Sequence, residues 1–276
     1  MNTILVPTDF SVAAKNAAMY AINFAKQVKA NKIVLYNAYQ MPIVTDANMA
    51  MVDAVDINDL EEASKKNLEN FKQSLLAHAG NITLETLSEY GAVTLDINDV
   101  CKETAADVVV MGVTGVGKVA ESLIGSFAID VARKSKVPVI IVPPDAGFTE
   151  IKEIMLACDF SKVVETTPVG PVKSILEETK AKLFVVNIDH RNKHFTADTP
   201  FESLMLDTLL NGYNPEYHFL DDEDFVAATN RFALEKEVDM IITIPKKMGW
   251  FDALFHKSHT KALAFHSHVP LMVVHE

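Results

Sequence analysis

Between Met111 and Phe127 the chain runs MGVTGVGKVAESLIGSF, a stretch whose glycines, lysine and serines have the residue types of a phosphate site. Gly112, Gly117 and Lys118 match the G-x-x-x-x-G-K of a phosphate-binding loop, but Val119 stands where a Ser or Thr must hold magnesium. A second spacing fits better. Gly112 and Gly115 turn the chain, nine residues intervene, and Gly125 and Ser126 stand directly before the helical run FAIDVARK. That arrangement puts bare backbone amides and a hydroxyl at a helix N-terminus, which suits an anion without any lysine. A glycine at 112 also lets a planar base or a ribose come close to the chain, since no side chain fills the space. Plain turn geometry is the other use such glycines have. Lys118 is then an accessory phosphate contact or a solvated loop residue.

These residues need a scaffold that delivers them to one place, and the hydrophobic pattern supplies one. Ile4 to Val6 and Lys32 to Ala38 have the pattern of strands, and Ser11 is placed to cap a helix through Gln27 with Ala14, Ala18, Ala21, Ile22 and Ala25 on its apolar face. A long amphipathic helix is expected over Ile57 to Ala79, with Leu60, Ala63, Leu68, Phe71 and Leu75 inward. A strand at Ile82 to Ser88, a helix at Leu95 to Ala105, a strand at Val108 to Gly112, a helix at Ser126 to Arg133 and a strand at Pro138 to Val142 follow. Strands alternating with helices demand right-handed crossovers and a mostly parallel, doubly wound sheet. Ligands in such sheets sit beyond the carboxyl ends of the strands, where the strand order reverses. Pro7, Thr8 and Asp9, Ala38 and Tyr39, and the glycine segment are the residues so placed.

The pattern then repeats. An offset of 150 lays ILVPTDFS (Ile4 to Ser11) on IMLACDFS (Ile154 to Ser161) and KIVLYNAY on KLFVVNID. An offset of 132 lays ADVVVMG (Ala106 to Gly112) on VDMIITI (Val238 to Ile244) and SKVPVIIV on SHVPLMVV, so the first copy is 18 residues longer in its middle. Matches at both ends around one length change mark a tandem duplication. The breakers Pro143, Pro144 and Gly147 divide the chain into domains at 1–146 and 150–276. The expected fold class is α/β, two tandem five-stranded doubly wound parallel-sheet domains. The terminal strands VPVIIVP and VPLMVVH are apolar on both faces, so each needs a partner; Val139 to Val142 and Leu271 to Val274 are expected to pair within the chain as a pseudo-twofold unit. A further homodimer is not readable.

Composition bounds the function. With 25 basic against 37 acidic residues, a formal charge of -12 repels nucleic-acid backbones and anionic membranes, and no basic patch offsets it. No apolar run is long enough to span a bilayer and no signal peptide is evident, so a cytoplasmic location is expected. Cys101 and Cys158 lack CxxC or histidine companions, which makes them buried, reduced thiols.

The spacing G-x2-G-x9-G-S at Gly112, Gly115, Gly125 and Ser126, the PTDFS after the first strand and the VPVIIVP of the last one together resemble the nucleotide-binding branch of the universal stress protein family. The resemblance covers the first copy and implies a tandem, two-domain member with an adenine nucleotide alpha hydrolase-like fold. It implies that Asp9 approaches the adenine or ribose, that Pro7 and Thr8 line the base pocket and that Ala38 gives backbone contacts. Gly115, Gly125 and Ser126 would hold phosphates, and Met111, Gly112 and Phe127 complete the site. The implied ligand is ATP or another adenine nucleotide, with Mg2+ as its companion ion. The implied role is a nucleotide-dependent stress regulator or sensor with an unidentified protein partner. No arginine finger or evident base is present, so at most slow ATP hydrolysis is expected. An interaction scaffold without nucleotide is the alternative, and a transferase or ligase of similar architecture comes third.

The second copy departs from the motif: Gly112, Gly115 and Gly125 become Ile244, Lys247 and Lys257, and Pro7 and Thr8 become Ala157 and Cys158, while Asp159 and Ser258 are retained. One nucleotide site per chain is therefore expected, with Lys246, Lys247 and Lys257 a weaker anion candidate. His256 and His259 are spaced for one helical face but lack a third ligand, and His266 and His268 lie beyond them, so no metal site is assigned. The run Asp221 to Asp224 lacks calcium-loop spacing and is expected to form the acidic first turn of the helix after it. Trp250, Phe251 and Phe255 are expected to pack on the other copy. Met41 to Asp56, with three methionines, suits a flap or contact segment.

Overall fold

The computed structural model describes residues 1–41, 56–113, 126–160, 162–189, 198–244 and 269–275. The first half comprises β1 (Thr3–Pro7), α1 (Val12–Val28), β2 (Lys32–Tyr39), α2 (Ile57–Ala79), β3 (Thr83–Tyr90), α3 (Val93–Thr104), β4 (Val108–Gly112), α4 (Ser126–Lys134) and β5 (Val139–Val142). The second comprises β6 (Glu153–Ala157), α5 (Val163–Thr166), α6 (Val169–Thr179), β7 (Lys182–Asp189), α7 (Thr199–Leu209), β8 (Glu216–Asp221), α8 (Phe225–Glu235), β9 (Met240–Thr243) and β10 (Leu271–Val273).

The strands form one ten-stranded sheet in the order β3-β2-β1-β4-β5-β10-β9-β6-β7-β8. Each half is parallel throughout, with the order reversing between β1 and β4 and again between β6 and β9. At the centre β5 and β10 run antiparallel, setting Ile141 beside Leu271, Ile140 beside Met272 and Val139 beside Val273. All six side chains are fully buried, so the two apolar strands remove each other's exposed edge, as their composition requires.

The duplication extends to hydrogen bonds. Asp107 accepts the backbone amides of Asn2 at 2.5 Å and Thr3 at 3.0 Å; at the matching offsets Asp239 accepts those of Lys152 at 2.8 Å and Glu153 at 3.0 Å. Phe10 and Phe160 occupy the same left-handed conformation, at φ 65° and 50°, in the turn after the first strand of each half. A non-glycine residue in that region costs about 1 kcal/mol, and each phenylalanine offsets it by packing its ring: Phe10 edge-on to Phe71 at 5.9 Å, Phe160 stacked on Phe219 at 5.4 Å.

Ser11 caps α1 by accepting the amide of Ala14 at 3.2 Å, and the predicted apolar face of that helix is buried. Its counterpart in the second half is broken: α5 ends at Thr166 and α6 starts at Val169, because Pro168 cannot continue a helix. Three expectations need correction. In α2, Ala63 is exposed and Leu60 only half-buried, while Ser64 is the buried residue, since a polar chain described below draws it inward. The acidic run lies ahead of α8 rather than in its first turn: Asp221 ends β8, and Asp224 is the cap, accepting the amides of Val226 and Ala227, both at 3.1 Å. Cys101 is buried in α3, but Cys158 is half-buried just after β6; neither forms a disulfide. No described helix is long and apolar enough to cross a membrane.

Candidate nucleotide site

Where the strand order of the first half reverses, the carboxyl ends of β1, β2 and β4 and the N-termini of α1, α3 and α4 enclose a cavity of about 300 Å3. Its wall is apolar on the α3–α4 side, from Pro7, Ala38, Val93, Met111, Val113 and Ala128, with the half-exposed ring of Phe127 at the mouth. Thr8, Asp9, Ser11 and Asn37 supply polar atoms, and Ala13, Ala14 and Gly112 close the rest. A mostly apolar concavity with a few convergent polar groups is the usual form of a small-molecule site, and its volume matches the lower end of such sites.

The turn after β1 is held rigidly. The backbone amide of Thr8 donates to Tyr36 at 2.8 Å, its hydroxyl oxygen accepts the amide of Phe10 at 3.0 Å, and its carbonyl accepts Asn37 Nδ2 at 2.7 Å. Exposed Asp9 accepts the amide of Ser11 through Oδ1 at 3.0 Å. Asn37 belongs to a longer chain, in which Ser88 Oγ donates to Ser64 Oγ at 2.7 Å and Ser64 Oγ to Asn37 Oδ1 at 2.7 Å.

Gly112 has a reason in the backbone alone. A β-carbon there would lie 2.4 Å from the carbonyl oxygen of Ala13 and 2.8 Å from its carbonyl carbon, so only glycine lets β4 end against the first turn of α1. In the second half the same position is Ile244, buried in the same apolar cluster as Phe160 and Val163.

Seven of the ten residues picked from sequence meet on this cavity: Pro7, Thr8, Asp9, Ala38, Met111, Gly112 and Phe127. Ser126 begins α4 directly beside Phe127, while Gly115, Gly125 and Lys118 lie outside the described residues. So do Lys246, Lys247, Lys257, Ser258, the four C-terminal histidines, Trp250, Phe251, Phe255 and residues 42–55. Sequence reasoning missed Asn37 as a wall residue; its recurrence as Asn187 at the 150 offset was the available signal, and Asn187 Nδ2 donates to the Cys158 carbonyl at 2.9 Å just as Asn37 does to Thr8.

Charge separates this cavity from a neighbouring concavity of about 370 Å3, which is lined by Glu89, Asp96, Asp99 and Glu103 with Tyr39 and Tyr90. Burial, then Glu103 and Asp96, push the Glu89 carboxyl above its usual range. Four converging carboxylates repel phosphate, whereas the first cavity carries Asp9 alone among its described residues. The described residues hold no group of three or more His, Cys, Asp or Glu suited to a metal ion, and Asp9 is the one described carboxylate in this cavity.

The halves are thus a doubly wound α/β fold with a cavity at the switch point of the first. The universal stress protein family model matches residues 1–143, and the chain belongs to that family. Over 142 residues it is 28% identical to a universal stress protein of Methanocaldococcus jannaschii, covering 50% of this chain and 80% of that one. A universal stress protein of Synechocystis is 31% identical over 141 residues, covering 51% and 85%. The whole chain is similar in fold to the crystal structure of a universal stress protein from Archaeoglobus fulgidus, with a TM-score of 0.71 at 20% identity over 99% of this chain and 98% of that one.

Proposed function

We propose that this protein binds an adenine nucleotide, ATP, in the cavity of a nucleotide-binding domain at 1–146, and that the domain at 150–276 is its partner without a nucleotide site of the same kind. Occupancy then biases the conformation or partner choice of a stress-response regulator. The observation that carries this reading is the convergence of Pro7, Thr8, Asp9, Ala38, Met111, Gly112 and Phe127 around one cavity at the switch point. Its apolar wall suits the faces of a base, and its polar turn at Thr8 and Asp9 suits base and ribose edges. The triphosphate would extend to Gly115, Gly125 and the α4 N-terminus at Ser126, where helix-end amides favour anions. Magnesium would accompany the phosphates. The second half carries Ile244 in place of Gly112 and a broken helix in place of α1, which supports a single site.

Calorimetric titration of the purified chain with ATP and magnesium tests the reading. Saturable binding at one site per chain, abolished by Gly115→Val with Gly125→Val, is expected. Absence of binding by the wild-type protein, or binding untouched by the double substitution, refutes it.

A further inference from the structure

The acidic concavity lies along an open sheet edge. β3 is the outermost strand, and among the described residues no strand pairs with its far side. Its ladder with β2 runs unbroken from Thr83 to Tyr90, and the amides of Thr83 and Gly91 donate to the carbonyls of Asn31 at 2.9 Å and Tyr39 at 3.1 Å. Backbone groups alternate in direction along a strand, so the residues between them at 85, 87 and 89 also turn theirs toward β2. Leu84, Thr86, Ser88 and Tyr90 therefore present N–H and C=O groups outward, where a further strand can pair.

The groove forms between β3 and the flank of α3, which packs over β1 and β2. Glu89 comes from the strand, and Asp96, Asp99 and Glu103 come from the helix. Asp96 spends one oxygen on the amide of Ala92 at 2.8 Å, and no described lysine, arginine or histidine is ion-paired with any of the four. Tyr36 lies on the same face of the sheet, packed with Val93, Ile97 and Val100 of α3. Its ring is fully buried, its hydroxyl has no hydrogen-bond partner among the described residues, and the charges that act on it are those of Glu89 and Asp96. A buried hydroxyl without a partner carries a cost that an arriving polar group relieves.

The second half also ends in an edge strand, β8, but without this chemistry. Glu89 pairs with Ala38 across its ladder, and the corresponding pair is Leu220 with Ile188. At the 132 offset Asp96 and Asp99 become Ala228 and Arg231, and at the 150 offset Tyr36 becomes Val186; Glu103 alone recurs, as Glu235. Arg231 is ion-paired with Asp222 at 2.9 Å. The fold is complete without the acidic groove, and protection of an edge needs charge on the strand, not on the helix beside it.

We propose that the β3 edge and its acidic groove bind an extended basic segment of a partner protein, which adds to β3 as a further strand and sets alternate Lys or Arg side chains against Glu89, Asp96, Asp99 and Glu103. The outward backbone groups of β3 supply the main-chain bonds, and the period of two selects every second side chain of the segment. The four carboxylates form no metal-binding group, which favours several spaced cations over one ion. The excess of 37 acidic over 25 basic residues draws such a partner in. The surface does not depend on whether the nucleotide cavity is filled.

The test uses a fluorescent octapeptide of alternating lysine and threonine, titrated into the full chain by anisotropy, beside two versions N-methylated on the lysine amides or on the threonine amides. Saturable binding is expected, weakened about tenfold or more by one methylation pattern and spared by the other, because one set of amides faces β3. Glu89→Leu with Asp99→Arg, the residues of the second half, should weaken it about tenfold or more, and Glu235→Gln should leave it unchanged. Circular dichroism verifies folding, and exposed Asp99→Arg alone decides if the double variant does not fold. No binding by the wild type, equal binding of both methylated peptides, or unchanged binding by folded Asp99→Arg overturns the proposal. Displacement by spermine at an affinity equal to the peptide's also overturns it, in favour of a small polyamine site.

Discussion

Gly112 ends β4 in backbone contact with Ala13 in the first turn of α1, so closely that a β-carbon would stand 2.4 Å from the Ala13 carbonyl oxygen. The contact joins two walls of one cavity, because α1 supplies Ser11, Ala13 and Ala14 and β4 supplies Met111 and Gly112.

Gly112→Ala should therefore push the start of α1 away from the sheet. A loss of about 1–3 kcal/mol is expected from this overpacking, together with weakened ligand binding. Denaturant unfolding and calorimetry check the two effects. Gly170, near the start of α6, is the contrasting case, since nothing lies within 4 Å of its would-be β-carbon. Gly170→Ala should stabilise by about 0.5 kcal/mol through the reduced freedom of the unfolded chain.

The junction of the halves makes a second prediction. Met272 is fully buried opposite Ile140, where β10 meets β5. Met272→Ala should cost about 2–5 kcal/mol, and the loss should appear in the unfolding of both halves if the central pair makes them one cooperative unit. Separate transitions by tryptophan fluorescence and circular dichroism would contradict that cooperativity.

Asp239 gathers the start of the second half as Asp107 does the first, accepting Lys152 and Glu153 amides through Oδ2 and the Thr149 hydroxyl through Oδ1 at 3.0 Å. Asp239→Ala leaves those donors without their acceptor and should destabilise by about 1–3 kcal/mol. The melting temperature is the readout.

The thiols differ in a way that pH can reveal. Burial pushes the Cys101 thiol from 9.0 up to about 12. Unfolding releases that proton more readily, so the folded state binds more protons across this window and stability must fall as pH rises from about 9 toward 12. Cys101→Ala should flatten part of that slope in melts at increasing pH. At pH 8 in the folded protein, half-buried Cys158 should react with a maleimide well before Cys101, which mass spectrometry after digestion would resolve.

Much of this was legible in the residues themselves. Alternating apolar runs and helical periodicity placed the boundaries of α2 and β4, and Ser11 announced its own helix, because those signals are local. The internal offsets disclosed the duplication, and with it the loss of glycine at Ile244. Ala63 shows where local pattern fails: periodicity counts it apolar and turns it inward, yet the buried neighbour is Ser64, whose hydroxyl answers Asn37 and Ser88 from two other elements.

By itself the order of amino acids determined the α/β halves, the repeat and the glycine spacing, since propensity, periodicity and self-similarity act along the chain. The pairing of β5 with β10 was legible too, in two terminal strands apolar on both faces, whereas only the tertiary structure decided its register, that Gly112 answers to Ala13, and that Ser88, Ser64, Asn37 and Thr8 form one hydrogen-bonded chain. Those relations join residues 24 to 134 positions apart in sequence, as Ser64–Ser88 and Val139–Val273 illustrate, and they are set by which surfaces pack when each sheet edge and polar group must find a partner.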